Sequence, residues 1–155
     1  MVSNYAGHPE VTPLNAAIDR EDGIRILYRI DPRMEDVPDW CHGIASFNRD
    51  HVLSVAAKYP GIEDHIIEEE VACLSFAYLI ESQKIDKIDF LQIDTEGYDY
   101  EIIKTIDFDL MPPQIIRYED AALSNQASIE CVEYLIQKGY RIFDERHDIT
   151  ACRCV

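Results

Sequence analysis

The amino-acid sequence predicts an α/β domain with a mainly parallel sheet that closes in an antiparallel pair. Three observations predict it. Apolar strand-like runs alternate with helical stretches through the second half of the chain, and that alternation builds parallel strands with helices on their faces. The last two runs, Tyr140 to Asp144 and Ile149 to Val155, are joined only by the polar turn Arg146-His147-Asp148, so they pair antiparallel. Of the 155 residues 47% are apolar, which suits one domain with a sizeable core. No internal repeat or low-complexity tract divides the chain.

Taken in order, Val11 to Ile18 reads as a strand, with Pro13 demoting its start to an edge or an irregular segment. Asp19 to Gly23 is a polar turn. Ile24, Ile26 and Tyr28 then alternate with Arg25, Leu27 and Arg29, so a second strand follows and is expected to pair with the first as a hairpin. Asp31 to His42 carries Pro32, Pro38 and many charges and reads as a long loop of the kind that serves a site. Residues 46–59 predict a short helix with Val52, Val55 and Ala56 on one face. Ile66 to Val71 predicts a strand and Ser75 to Ser82 a helix. Ile88 to Ile93 is an apolar strand ending at Asp94; Gly97 closes a turn, and Tyr98, Ile102, Ile103 and Ile106 share one face of the helix that follows. Pro112-Pro113 stops that helix. Gln114 to Tyr118 is the next strand. Ser128 to Lys138 is a helix with Ile129, Val132, Leu135 and Ile136 as its buried stripe, and Gly139 stands where a left-handed cap belongs.

The formal net charge of −16, from 30 acidic and 14 basic residues, repels polyphosphate and anionic lipid, so neither nucleic acid nor a membrane surface is expected as a partner. No apolar run is long enough to span a bilayer, and the start lacks the basic and apolar regions of a signal peptide. Five cysteines, scattered except for Cys152 and Cys154, read as reduced thiols of a cytoplasmic protein. The terminal pair has no His neighbours to complete a zinc set, and the five histidines have no metal-ligand spacing. Glu68-Glu69-Glu70 reads as a wet strand edge. Ser46 lies outside any nucleophile elbow, so acyl transfer has no support.

Two strand ends are loaded with acids: Asp94-Thr95-Glu96-Gly97, and Glu119-Asp120 after Arg117-Tyr118. Ligands of open α/β sheets collect at such ends. In extended chain Asp94 and Glu96 point the same way, and a parallel neighbour ending at Glu119 would bring three carboxyl groups into one crevice. Like charges at short range raise at least one pKa. Mg²⁺ on Asp94 and Glu96, a cationic ligand, or a shared proton would relieve the repulsion, and a raised carboxyl suits a general base for an acceptor hydroxyl. The plainer alternative is that Asp94 caps the next helix, with Glu96 and Asp99 facing its dipole, while Glu119-Asp120 is a solvated loop. His42, in the long loop, serves an acceptor hydroxyl or is a surface histidine without a role.

The stretch Ile88 to Asp99, an apolar strand running into Asp-Thr-Glu-Gly before a helix, resembles the central motif of FkbM-type methyltransferases. Asn15-Ala16-Ala17-Ile18 with Asp22-Gly23 is similar to that family's third strand and turn. Gly43-Ile44-Ala45-Ser46 is similar to the loop before its middle section, Ile115 to Glu119 to its fifth strand, and Leu135 to Tyr140 to a helix end and sixth strand. The resemblance implies an incomplete Rossmann-like class I methyltransferase sheet. It implies O-methyl transfer from S-adenosylmethionine to a hydroxyl of a small molecule or sugar. Asp94, Glu96 and Glu119 would line the reaction crevice, Asn15 and Ala16 the adenine end of the cofactor, and Ser46 the acceptor side. The family also has a glycine-rich first turn, whereas no two of the six glycines here are close enough for a G-x-G turn. The first two strands of the family sheet are therefore expected to be missing. That would leave the Val11 to Ile18 strand without neighbours and the fourth family strand with an exposed edge open to self-association. The chain alone is expected to bind the cofactor weakly and to be inactive, or to persist as a non-catalytic binding or assembly module.

Overall fold

The structure, a computed structural model, describes residues 5, 7–34, 37–56 and 61–154, with the backbone alone at 40, 55 and 56. The chain forms a mixed α/β fold with two four-stranded sheets rather than one. The first contains β1 (Ala17–Asp19), β2 (Gly23–Ile30), β3 (Ala45–Ser46) and β4 (Ile66–Ser75), in the order β1-β4-β2-β3. The second contains β5 (Phe90–Ile93), β6 (Ile115–Glu119), β7 (Tyr140–Glu145) and β8 (Asp148–Arg153), in the order β5-β6-β8-β7. Four helices accompany them among the described residues: α1 (Arg49–Ala56), α2 (Phe76–Ser82), α3 (Asp99–Ile103) and α4 (Asn125–Gln137).

In the second sheet β5 and β6 run parallel, and β8 inserts antiparallel between β6 and β7, so the closing antiparallel pair is present. The first sheet departs from the expected order. Of the expected first strand, Val11 to Ile18, only Ala17 and Ile18 are paired, and the ladder runs on through Asp19; Pro13, which has no N–H to give, lies outside it. That strand does not form a hairpin with β2. Instead β4 lies between them, parallel to β1 over Cys73–Ser75 and antiparallel to β2 over its whole length. So β1 has a neighbour after all: the ten-residue β4, longer than the expected Ile66 to Val71, supplies it. Below Cys73 no third strand lies beside β4 among the described residues, and Glu68, Glu69 and Glu70 are all exposed there. The Asp31 to His42 loop ends in a 3-10 turn, Asp39–Gly43. Of the helix expected over residues 46–59, Arg49–Ala56 forms; positions 57–59, and the side chains of Val55 and Ala56, lie outside what is described.

Two apolar clusters result. The larger gathers Ile93, Ile102, Ile103, Ile106, Ile116, Tyr118, Cys131, Leu135 and Ala151 between the second sheet, α3 and α4. Burying each of its larger side chains contributes roughly 1.5–3 kcal/mol. Helix α4 turns Cys131 and Leu135 inward and leaves Ile129 and Ile136 exposed, so its buried stripe is rotated from the expected one. The smaller cluster, Ile30, Val37, Cys41, Ile44, Val52 and Ile62, belongs to the first sheet, the long loop and α1. The two sheets meet where β1, β3 and α1 face the turn between β5 and α3.

Candidate functional site

That meeting place encloses a cavity of about 760 Å³. Ala17 and Ile18 of β1, with Ala16 just before it, approach from one side, Ala45 and Ser46 of β3, with Phe47 just after it, from another, and Asp94, Thr95 and Glu96 from the turn after β5. Of the residues singled out from sequence, Ala16, Ser46, Asp94 and Glu96 line this one space. Asn15, His42 and Glu119 are not part of its wall. A buried Nδ1 of His42 has no hydrogen-bond partner among the described residues.

The turn after β5 is shaped by its own residues. Glu96 takes a left-handed backbone, φ 52°, and Gly97 another, φ 96°. A β-carbon on Gly97 would stand 3.0 Å from the Ala122 carbonyl oxygen, so glycine is needed there for space as well as for conformation. Asp99 opens α3 and is fully buried. Its carboxylate accepts hydrogen bonds from the Thr95 hydroxyl (2.7 Å), the Thr95 N–H (3.3 Å) and the Glu119 N–H (3.2 Å), which ties the β5 turn to the end of β6. Helix α3 takes no side-chain cap and its N-cap position is Tyr98, so Asp94 is not a helix cap.

The carboxyl groups interact electrostatically across the two strand ends. Burial, then repulsion from Glu96, Asp94 and Asp99, pushes Glu119 up to about 7, with His51 pulling slightly the other way. One Glu119 carboxyl oxygen, Oε2, is buried without a hydrogen-bond partner among the described residues. Asp94 is open to solvent, yet desolvation at the cavity wall followed by Glu96, Asp99 and Asp148 raises it too. Burial raises Asp99 against the pull of its Thr95 and Glu119 hydrogen bonds. Nothing in the geometry supports the expected Mg²⁺ on Asp94 and Glu96: among the described residues no three His, Cys, Asp or Glu side chains come together as a metal donor set. The Glu96 carboxylate is instead taken by an imidazole, since His51 Nε2 lies 2.9 Å from its Oε2.

Several residues of this region carried no signal in the sequence. His51 sits in the first turn of α1 with no motif around it. Asp19, read only as a turn residue, accepts from the Tyr98 hydroxyl (2.6 Å) and from Arg25 (2.8 Å), and the Arg25 guanidinium lies 4.0 Å over the Phe47 ring. Burial works to raise Asp19, but the Tyr98 and Arg25 donors, the Arg20 N–H and the Arg25 charge together hold the carboxyl below its ordinary value. Tyr98 was legible only as a core-face aromatic. Its pairing with a residue 79 positions away is non-local.

A family model described as the methyltransferase FkbM domain matches residues 3–142, and the chain belongs to that family. No curated protein and no solved structure gives a significant match. No helix among the described residues is long and apolar enough to cross a membrane.

Proposed function

We propose that the chain is an S-adenosylmethionine-dependent O-methyltransferase that acts on a hydroxyl of a small molecule or sugar, on part of a Rossmann-like class I sheet. The observation that carries this reading is the pairing of a cavity walled by Asp94 and Glu96 with a carboxyl of pKa about 7, Glu119, in electrostatic contact with both. The donor chemistry of the cavity fits the cofactor. Ile18, Ile44 and Phe47 offer apolar surface, Ala16 and Ala17 take little room, and the two carboxylates suit a positive sulfonium. When bound, S-adenosylmethionine supplies an electrophilic methyl group. The chain's own part is to orient the acceptor, shield it and take its proton. Asp94 faces the cavity and takes the hydroxyl proton; desolvation and the charges of Glu96, Asp99 and Asp148 raise its carboxyl, while Glu119, raised to about 7, holds a proton beside it in acid and neutral solution.

With no G-x-G turn in the 155 residues, cofactor affinity of this chain alone is weak. The thiols of Cys41, Cys73, Cys131, Cys152 and Cys154 are unpaired, which suits a reducing cytoplasm. The test is transfer of labelled methyl from S-adenosylmethionine to a panel of polyols and sugars, at micromolar and millimolar cofactor. Slow transfer confined to millimolar cofactor, lowered roughly 100-fold or more in Asp94→Asn, is expected. Tight binding by calorimetry would overturn the weak-affinity part, and equal rates in Asp94→Asn the assignment of the base.

One observation favours a second reading, a methyltransferase-fold assembly module. Among the described residues strand β5 ends its sheet with an unpaired edge, and Phe90 on it is 54% exposed. Such an edge invites pairing with another copy. Size-exclusion chromatography giving a dimer, with no methyl transfer at millimolar cofactor, would favour the module over the enzyme.

A further inference from the structure

We propose that His51 is the positioning residue for Glu96, holding its carboxylate at the cavity wall while Ser46 holds its backbone. The inference rests on the reading of the cavity as a methyl-transfer site. Glu96 is a non-glycine residue at φ 52°, a conformation that persists only where the surroundings over-determine it. Two hydrogen bonds from a single segment, β3 and the helix after it, supply that determination. The Ser46 hydroxyl donates to the Glu96 carbonyl at 2.9 Å, and the same hydroxyl oxygen accepts from the Asn48 N–H at 3.2 Å, which fixes its rotor. Five residues on, His51 Nε2 meets Glu96 Oε2 at 2.9 Å.

An ionised carboxylate can only accept, so the imidazole donates from Nε2. The ring lies beside Gly97: a β-carbon there would be in ordinary van der Waals contact with His51 Nδ1, at 3.9 Å, while it would crowd the Ala122 carbonyl oxygen at 3.0 Å. His51 is 15% exposed and is not part of the cavity wall, so it acts through Glu96. Without that donor, Glu96 would face Asp94 and Glu119 with nothing to offset their repulsion, and its flexible side chain would swing to solvent. The family motif therefore depends on a histidine about 45 residues before it in the chain, at a position where the local sequence gives no sign of it.

The test combines side-chain NMR with three variants of the full chain. The His51 nitrogen shifts should report a proton on Nε2, and the Glu96 ¹³C shifts a left-handed backbone. His51→Ala should move the Glu96 shifts toward ordinary extended values and lower methyl transfer about tenfold or more, by misplacing the carboxylate. His51→Gln, whose amide N–H can reach the same oxygen, should restore both. Ser46→Ala should move the Glu96 backbone shifts alone. A proton on Nδ1 only, or Glu96 shifts identical in wild type and His51→Ala, would overturn the proposal. If wild type transfers no methyl group, the functional reading fails while the NMR comparison still decides the role of His51.

Discussion

Glu119 ends β6 with one carboxyl oxygen buried and unpartnered, beside three other acids. A folded-state pKa of about 7, against an ordinary 4.5, means that the native chain holds a proton between those values that the unfolded chain has released. Stability from this group is therefore greatest below pH 4.5, declines as pH rises to 7, and is level above it. Asp94 and Asp99, also raised, push in the same direction. Asp31 works in a different window. The Arg33 guanidinium and N–H beside it hold its carboxyl at about 2, so its contribution is lost only as pH falls below 3.8 toward 2. Denaturant midpoints should fall between pH 5 and pH 8 in wild type, and Glu119→Gln should flatten that fall by raising the pH 8 value. A variant as pH-sensitive as wild type would mean that Glu119 ionises normally. At this scale the acids themselves were legible, since Asp-Thr-Glu-Gly and Glu119 stand at strand ends in the sequence. Left-handed Glu96 and its imidazole were not, because both depend on chain that arrives from elsewhere.

Helices α2 and α4 begin with the same device. Ser75 accepts from the Tyr78 N–H and Ser124 from the Ala127 N–H, each at 3.2 Å, satisfying a donor that the helix cannot. Helix α4 carries Cys131 and Leu135 into the larger core, so its first turn fixes a packed element. Ser124→Ala should cost about 1 kcal/mol by urea denaturation, and Ser124→Asn, which caps equally well, close to nothing. The α4 periodicity was readable only from Ser128 because the first turn, Asn125-Gln126-Ala127, is not apolar. The Ser124 cap was the missed signal. Strands β5 to β8 were legible because short turns and apolar runs decide them locally. The β1–β2 hairpin expectation failed for the opposite reason: a polar turn permits a hairpin, but β4, more than 40 residues later, offers β2 an eight-residue ladder that three-residue β1 cannot.

The described residues form two sheets and two apolar clusters, and both apolar contacts, such as Ile18 against the larger cluster and Phe47 against Tyr98, and a polar network cross between them. Tyr98, in the turn before α3, donates to Asp19 in β1, while Arg25 of β2 donates to both and stacks over Phe47. Ser46 and His51 reach Glu96 across the same boundary. Asp19 is buried, so loss of one donor leaves part of a desolvated carboxylate unsatisfied, at about 1–3 kcal/mol. That penalty falls on the junction rather than on either core. Single-transition unfolding requires the junction to be worth more than the difference in stability between the two halves. The smaller cluster has six buried members among the described residues against thirteen in the larger, so its half is expected to unfold first if the junction is weakened. Trp40, the sole tryptophan, lies in the Asp39–Gly43 turn of that half and reports on it by fluorescence, whereas far-UV circular dichroism reports on both. In wild type the two signals should change together in urea. In Tyr98→Phe combined with Arg25→Ala, the fluorescence transition should move to lower urea and separate from the dichroism transition. Coincident transitions in that double variant would mean that apolar contact, and not the Asp19 network, holds the two sheets together.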